Sequence, residues 1–165
     1  MKLKEFWGKL KKEKSIAIFI HARPDGDCIG SAFGLKHYLK LFLTQKVEVF
    51  CDDDIPEKFA FLMKDEVIHK DFFGEYSAYL SLDCASETRM GKFADIFSAF
   101  PNTYNLDHHV SNTNFAKYNC VIDNSSNSEN VFNLMKSGIM VIDEAGANFL
   151  MMGIMTDTGN FKHSD

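Results

Sequence analysis

"SIAIFIHARPDGDCIGS", residues 15–31, decides the fold. Its first six residues are an unbroken β-branched and aromatic run, the kind buried on both faces in a parallel sheet. His21, Asp25 and Asp27 follow at once. A surface turn has no need of them, because Gly, Asn and Pro are enough to redirect a chain. Beyond the turn, Ile29, Phe33, Leu35, Tyr38, Leu39 and Phe42 recur near helical spacing as far as Leu43. Buried strand, charged turn and helix together open a strand–helix–strand unit.

The same alternation runs outward along the chain. "VEVFCD" (47–52), "AYLSLDC" (78–84), "TYNLDH" (103–108) and "KYNCVI" (117–122) read as further strands. Residues 87–99, 127–136 and 143–155 read as helices, and 55–75 as a short helix with an irregular return. Leu3, Phe6, Trp7 and Leu10 give the N-terminus an amphipathic helix that leads into the domain, with a membrane-surface helix as the alternative. This pattern predicts an α/β fold: a mostly parallel sheet of about five strands with helices on both faces, in one domain over 1–165.

Composition narrows the function. With 165 residues and 45% hydrophobic content, the chain supports one sizeable core. A net charge of −5 excludes a general basic surface, and with it long duplex nucleic acid as a partner. Cys28, Cys51, Cys84 and Cys120 lie far apart, so they read as small buried residues in a reducing compartment rather than a disulfide frame or zinc cage. No signal peptide or transmembrane stretch is read, which makes a cytoplasmic protein with no membrane partner the expectation. His37, His69 and His163 sit in no motif, and the methionines (Met151, Met152 and Met155 among them) and 16 phenylalanines are expected in the core.

Open parallel sheets bind ligands beyond the carboxyl ends of their strands. There the chain collects acids and imidazoles: His21, Asp25 and Asp27 after the first strand, Asp83 after "YLSL", and Asp107, His108 and His109 after "TYNL". Asp157 in "GIMTDTGNF" (153–161) adds a fourth segment. Any one of these alone is an ordinary cap or turn residue. Gathered at one edge, they need cations. Carboxylates with a minority of imidazoles suit Mn²⁺ or Mg²⁺, and the set is too large for one ion. Two divalent ions clamp the attacking and leaving oxygens of an in-line displacement at phosphorus, which implies phosphoester hydrolysis. Asp25 and Asp27, two residues apart, are each able to face a different ion, with Asp83 between them. Gly26 and Gly30 are read as letting the backbone approach the site.

"HARPDGDCIGS", "LDCASETRMG", "LDHHVSN" and "GIMTDTGNF" resemble, in order, the four motifs of the DHH phosphoesterase family. "HARPDGDCIGS" and "TDTGNF" are most similar to its bifunctional oligoribonuclease and 3′-phosphoadenosine-5′-phosphate phosphatase branch. The resemblance implies two Mn²⁺ ions: one on His21, Asp25 and Asp83, the other on Asp27, Asp83, His108 and Asp157. It further implies that His109 meets the scissile phosphate and that Asp107 orients the neighbouring histidine. Arg89 in "SETRMG" and Ser125 in "IDNSSNSEN" (122–130) match family positions near the substrate, with an ion pair and helix capping as their structural alternatives. Family members usually continue into a smaller substrate-gripping domain; this chain is expected to be the catalytic domain without it. The resemblance allows a homodimer. The substrate expected is short RNA or 3′-phosphoadenosine 5′-phosphate. A cyclic dinucleotide phosphodiesterase and a metal-dependent nucleotide-binding module without turnover are the rival readings.

Overall fold

The computed structural model describes residues 1–43 and 46–162, with side chains given except at Phe42 and Leu43. His163 and the side chain of Phe42 therefore lie outside the described residues. Six strands make one sheet: β1 (Ser15–Phe19), β2 (Lys46–Phe50), β3 (Ile68–His69), β4 (Ala78–Leu82), β5 (Thr103–Asp107) and β6 (Tyr118–Val121). The order is β3-β2-β1-β4-β5-β6, and every neighbouring pair is parallel. The chain leaves β1 in one direction for β2 and β3, then returns to build β4, β5 and β6 on the other side. Sheet order thus reverses between β1 and β4, and such a switch point opens a crevice at the carboxyl ends of the strands.

The apolar run of β1 serves two cores, as the side-chain period of two requires. Ile16, Ile18 and Ile20 enter the larger cluster, while Ala17 and Phe19 enter the smaller one. Helices α1 (Leu3–Leu10), α2 (Gly26–Leu43), α4 (Asn127–Lys136) and α5 (Glu144–Asp157) contribute to the larger core. On the other face, a 3₁₀ helix (Glu87–Phe93) and α3 (Ala94–Ala99) bring Met90, Phe93 and Phe97 against Phe19, Phe50 and Tyr79. The apolar face of α1 is spent on this interior, with Phe6 edge-on to Tyr104 at 5.6 Å and Trp7 against Tyr38 at 5.5 Å. Among the described residues no helix is long and apolar enough to cross a membrane.

The expected α/β fold with its mostly parallel sheet is observed, with six strands against about five: the added one, β3, is a two-residue strand on the edge of β2, too short to show any alternation. Other expectations need correction. The single helix expected over 87–99 is a 3₁₀ helix followed directly by α3, with Gly91 at a non-helical φ of 59° inside the first. Met151 and Met155 are exposed rather than in the core. Helix α5 buries Gly146, Phe149, Leu150 and Gly153 and leaves Met151 and Met155 on its outer side. Gly26 and Gly30 do not face a ligand: they face α5. A Cβ on Gly30 would lie 2.5 Å from the Phe149 carbonyl oxygen and 2.9 Å from the Cα of Gly153, and one on Gly26 would strike Thr156. Bare glycines therefore let the α2 and α5 backbones touch, which carries the end of α5 to the crevice.

Candidate metal centre

Four segments converge beyond the carboxyl ends of β1, β4 and β5, and His21, His108 and Asp25 are each held by an atom other than the one facing the centre. His21 donates from Nδ1 to the Ala22 carbonyl at 2.9 Å. Its Nε2 is left 3.5 Å from Asp25 Oδ2 and 3.7 Å from Asp83 Oδ2. Asp25 caps the start of α2, accepting the backbone N–H groups of Asp27 and Cys28 on Oδ1 at 3.0 Å each, which leaves Oδ2 for His21. His108 donates from Nδ1 to the Asn124 carbonyl at 3.1 Å. Its Nε2 stands 3.3 Å from Asp83 Oδ1, 3.7 Å from Asp157 Oδ2 and 3.9 Å from Asp27 Oδ2.

Asp83 lies between the two halves, one oxygen toward each histidine. Its backbone is in the left-handed region at φ 57°, uncommon for a residue with a side chain and frequent where function fixes geometry. The residue is 3% exposed, and its Oδ1 has no hydrogen-bond partner among the described residues. Asp27, also buried, is gripped by the N-terminus of α4: the amides of Asn127 and Ser128 donate to its Oδ2 and Oδ1 at 2.6 and 2.8 Å. Asp157 closes α5, and the turn after it is fixed by Thr158, whose Oγ1 accepts from the Phe161 N–H, and by Gly159 at φ 56°.

The clustered carboxylates are offset by protons on themselves and on the histidines. Burial and the charge of Asp83 push Asp27 up to about 7, against the pull of the Ser128 and Asn127 hydrogen bonds. Burial also raises Asp157. Burial opposes charge on His108, yet Asp83 overcomes it and pushes the imidazole up to about 10. His21 is raised in the same way by Asp25 and Asp83. Carboxylates this close hold protons on their neighbours until a cation replaces them.

Asp107 and His109 form an adjoining arm, with His109 Nδ1 3.7 Å from Asp83 Oδ1. Asp107 is fully buried, accepts His109 Nδ1–H on Oδ1 at 2.8 Å and takes Asn112 Nδ2–H on Oδ2 at 2.6 Å. The histidine oriented by Asp107 is therefore His109, while His108 is set by a main-chain carbonyl. Arg89 is exposed, and its guanidinium makes no ion pair among the described residues; its carbonyl accepts the Ala22 N–H at 2.8 Å and so tethers the His21 segment. Ser125 does not join the cluster through its hydrogen bonds: its hydroxyl donates to Glu129 at 2.8 Å, at the start of α4, where Ser126 is the N-cap. The residues missed from sequence are the buttresses. Asn112, Asn124 and Asn130 each sit inside a quoted motif, but nothing in an isolated asparagine says which carbonyl or carboxylate it will hold.

The DHH family, N-terminal domain, matches residues 15–154. The chain belongs to the DHH family. Its eponymous residues divide their work here as described, His108 facing the carboxylates and Asp107 holding His109. An uncharacterized protein of Mycoplasma genitalium is 28% identical over 96% of this chain and 49% of its own length. The bifunctional oligoribonuclease and PAP phosphatase NrnA of Thermus thermophilus is 30% identical over 93% of this chain and 46% of its own. Among solved structures, an exopolyphosphatase-related protein from Bacteroides fragilis superposes with a TM-score of 0.89 at 28% identity, covering 98% of this DHH chain and 51% of the other. The chain thus spans about half the length of the relatives it matches.

Proposed function

We propose that this DHH domain is a two-metal phosphoesterase acting on short oligoribonucleotides, 3′-phosphoadenosine 5′-phosphate, or both. The observation that carries the reading is Asp83: a buried carboxylate whose oxygens face two different histidine–carboxylate clusters, one of those oxygens without any hydrogen bond. The donor set fits a pair of divalent ions of the Mn²⁺ or Mg²⁺ type, being mostly carboxylate with one imidazole per cluster. His21, Asp25 and Asp83 would hold one; Asp27, Asp83, His108 and Asp157 the other. When bound, such a pair supplies an acidified water and positive charge for phosphoryl oxygens.

The chain's own groups do the rest. Asp107 holds His109 by Nδ1 and raises its pKa, so the protonated ring would present Nε2–H to a phosphoryl oxygen as charge develops there. Arg89, exposed and without an ion pair, is the side chain suited to an outer phosphate. Ser125, whose hydroxyl donates to Glu129 at the start of α4, would meet the substrate only on leaving that partner. The NrnA-named relatives, which carry the oligoribonuclease and PAP phosphatase names, support this choice of substrate. They also extend about as far again beyond the matched half, so a second wall for the substrate is part of the proposal.

The test pairs calorimetry with turnover. Wild type should bind two Mn²⁺ and hydrolyse a dinucleotide or 3′-phosphoadenosine 5′-phosphate, slowly if no second wall is present. Asp83→Ala should lose both binding events. Two ions bound with no hydrolysis of any phosphoester would leave a nucleotide-binding module; a single site surviving in Asp83→Ala would refute the bridge.

A further inference from the structure

Three of the four cysteines surround His21. Cys51 follows β2 and its thiol contacts the His21 carbonyl at 3.4 Å; Cys84 follows Asp83; Cys28 sits in the first turn of α2. All are buried and free. Only Cys28 reaches the donor atoms: its Sγ, a ring nitrogen of His21 and a carboxylate oxygen of Asp25 lie within 4.8 Å of one another.

The remaining atoms of these side chains are spoken for. His21 Nδ1 is on the Ala22 carbonyl and Asp25 Oδ1 is on the α2 amides, so Nε2 and Oδ2 are what the pair has left. Asp83 Oδ2 approaches the same His21 nitrogen at 3.7 Å, and Asp83 is the buried carboxylate whose other oxygen finds no hydrogen bond. No thiol belongs to the second cluster, where Asp27, His108 and Asp157 gather among the described residues. The two halves of the site therefore differ in softness. Thiolate ligands favour zinc, cobalt and iron over manganese and magnesium, whereas carboxylates do not discriminate in that direction.

We propose that Cys28 is an additional ligand of the His21 half, making it a mixed nitrogen, oxygen and sulfur site that selects a thiophilic divalent ion, while the His108 half takes a harder one. This rests on the two-metal reading. On binding, the Cys28 S–H bond breaks, a sulfur–metal bond forms and the proton leaves to solvent; no oxidant or reductant is involved.

Cobalt(II) tests it without any reference to turnover. Chelator-treated protein is titrated with cobalt and followed by absorption. Wild type, Cys51→Ala and Cys84→Ala should each show visible cobalt bands together with a near-ultraviolet sulfur-to-cobalt charge-transfer band. Cys28→Ser should keep the visible bands and lose the charge-transfer band. Its zinc affinity in the His21 half should fall by at least about tenfold, with manganese affinity nearly unchanged. Cobalt bound to wild type without a charge-transfer band overturns the proposal, and does so even if Cys28→Ser fails to fold. Persistence of the band in Cys28→Ser overturns it equally. No cobalt binding at all overturns the two-metal reading, and this inference with it.

Discussion

Replacing Gly30 by alanine tests how Asp157 is delivered to the centre. The added methyl would lie 2.5 Å from the Phe149 carbonyl oxygen and 2.9 Å from the N and Cα of Gly153, all of them backbone atoms that no rotamer change can move. Restoring ordinary contact at 3.4 Å requires α2 and α5 to part by about 0.9 Å. A gap of that size forfeits roughly a quarter to a half of the dispersion energy along the seam. Overpacking of this kind costs about 1–3 kcal/mol; the contact here is backbone on backbone, so the upper end applies. Alanine recovers about 1 kcal/mol of helix propensity. The net loss is then about 2 kcal/mol, or roughly 4–8 °C in melting temperature for a domain of this size. Gly8→Ala in α1 is the control, because a Cβ there meets nothing within 4 Å; it should melt slightly higher than wild type. Thermal unfolding by circular dichroism reads both, and manganese calorimetry reads whether the displaced α5 weakens the cluster containing Asp157. A Gly30→Ala variant that melts at or above the parent would show that the helices are not in backbone contact and would refute the reasoning.

Two shorter predictions concern histidines. His109→Ala should retain both manganese ions and its melting temperature but lose roughly a hundredfold in turnover, the scale of removing one charge-stabilising donor; an unchanged rate would make His109 a structural neighbour. His37 donates from Nδ1 to Asp143 and from Nε2 to Glu66, each at 2.9 Å, which demands an imidazolium, and Glu66 raises its pKa above the ordinary value with help from Asp143 and against burial. A raised folded pKa means that the stabilisation is complete below the unfolded value and is lost as pH rises through the folded one. The melting-temperature gap between wild type and His37→Gln should therefore narrow as pH rises above the ordinary imidazole range; a constant gap would mean the ring is neutral.

Some of this was legible in sequence because it depends on local pattern. The run "SIAIFI" had no other place than a doubly buried strand, and the recurrence of acids after successive strands followed from chain direction alone. Helix α4 falls at 127–136 as expected, since Ser126 caps it and its apolar spacing is clear. What escaped was set by tertiary contact. Gly26 and Gly30 gave the right sense of close approach but the wrong neighbour, because sequence does not say which backbone arrives. Met151 and Met155 were placed in the core because apolar character does not tell which side of α5 is covered. The asparagines behind the histidines, and the thiols around His21, acquire meaning only when β1, β2 and β4 are laid side by side.

That arrangement bears on why the centre exists at all. A fold selected for stability alone would do better with apolar groups in place of two buried, mutually repelling carboxylates. Here one of them is provided for: α4 points its N-terminus at Asp27 and gives it two main-chain hydrogen bonds, a fixed partial positive charge built into the scaffold. Among the described residues Asp83 has no such main-chain donors: it is held in left-handed backbone between His21 and His108, with one oxygen lacking a hydrogen bond. Meanwhile His21 and His108 are each anchored through Nδ1 to a main-chain carbonyl, so neither ring is free to turn and relieve the strain. The scaffold thus fixes His21, His108, Asp25 and Asp27 through their other contacts and gives the carboxylates only two imidazoles for balance. That is the expected signature of a site organised in advance for cations, since ordering the ligands before binding removes the entropic cost from the binding step.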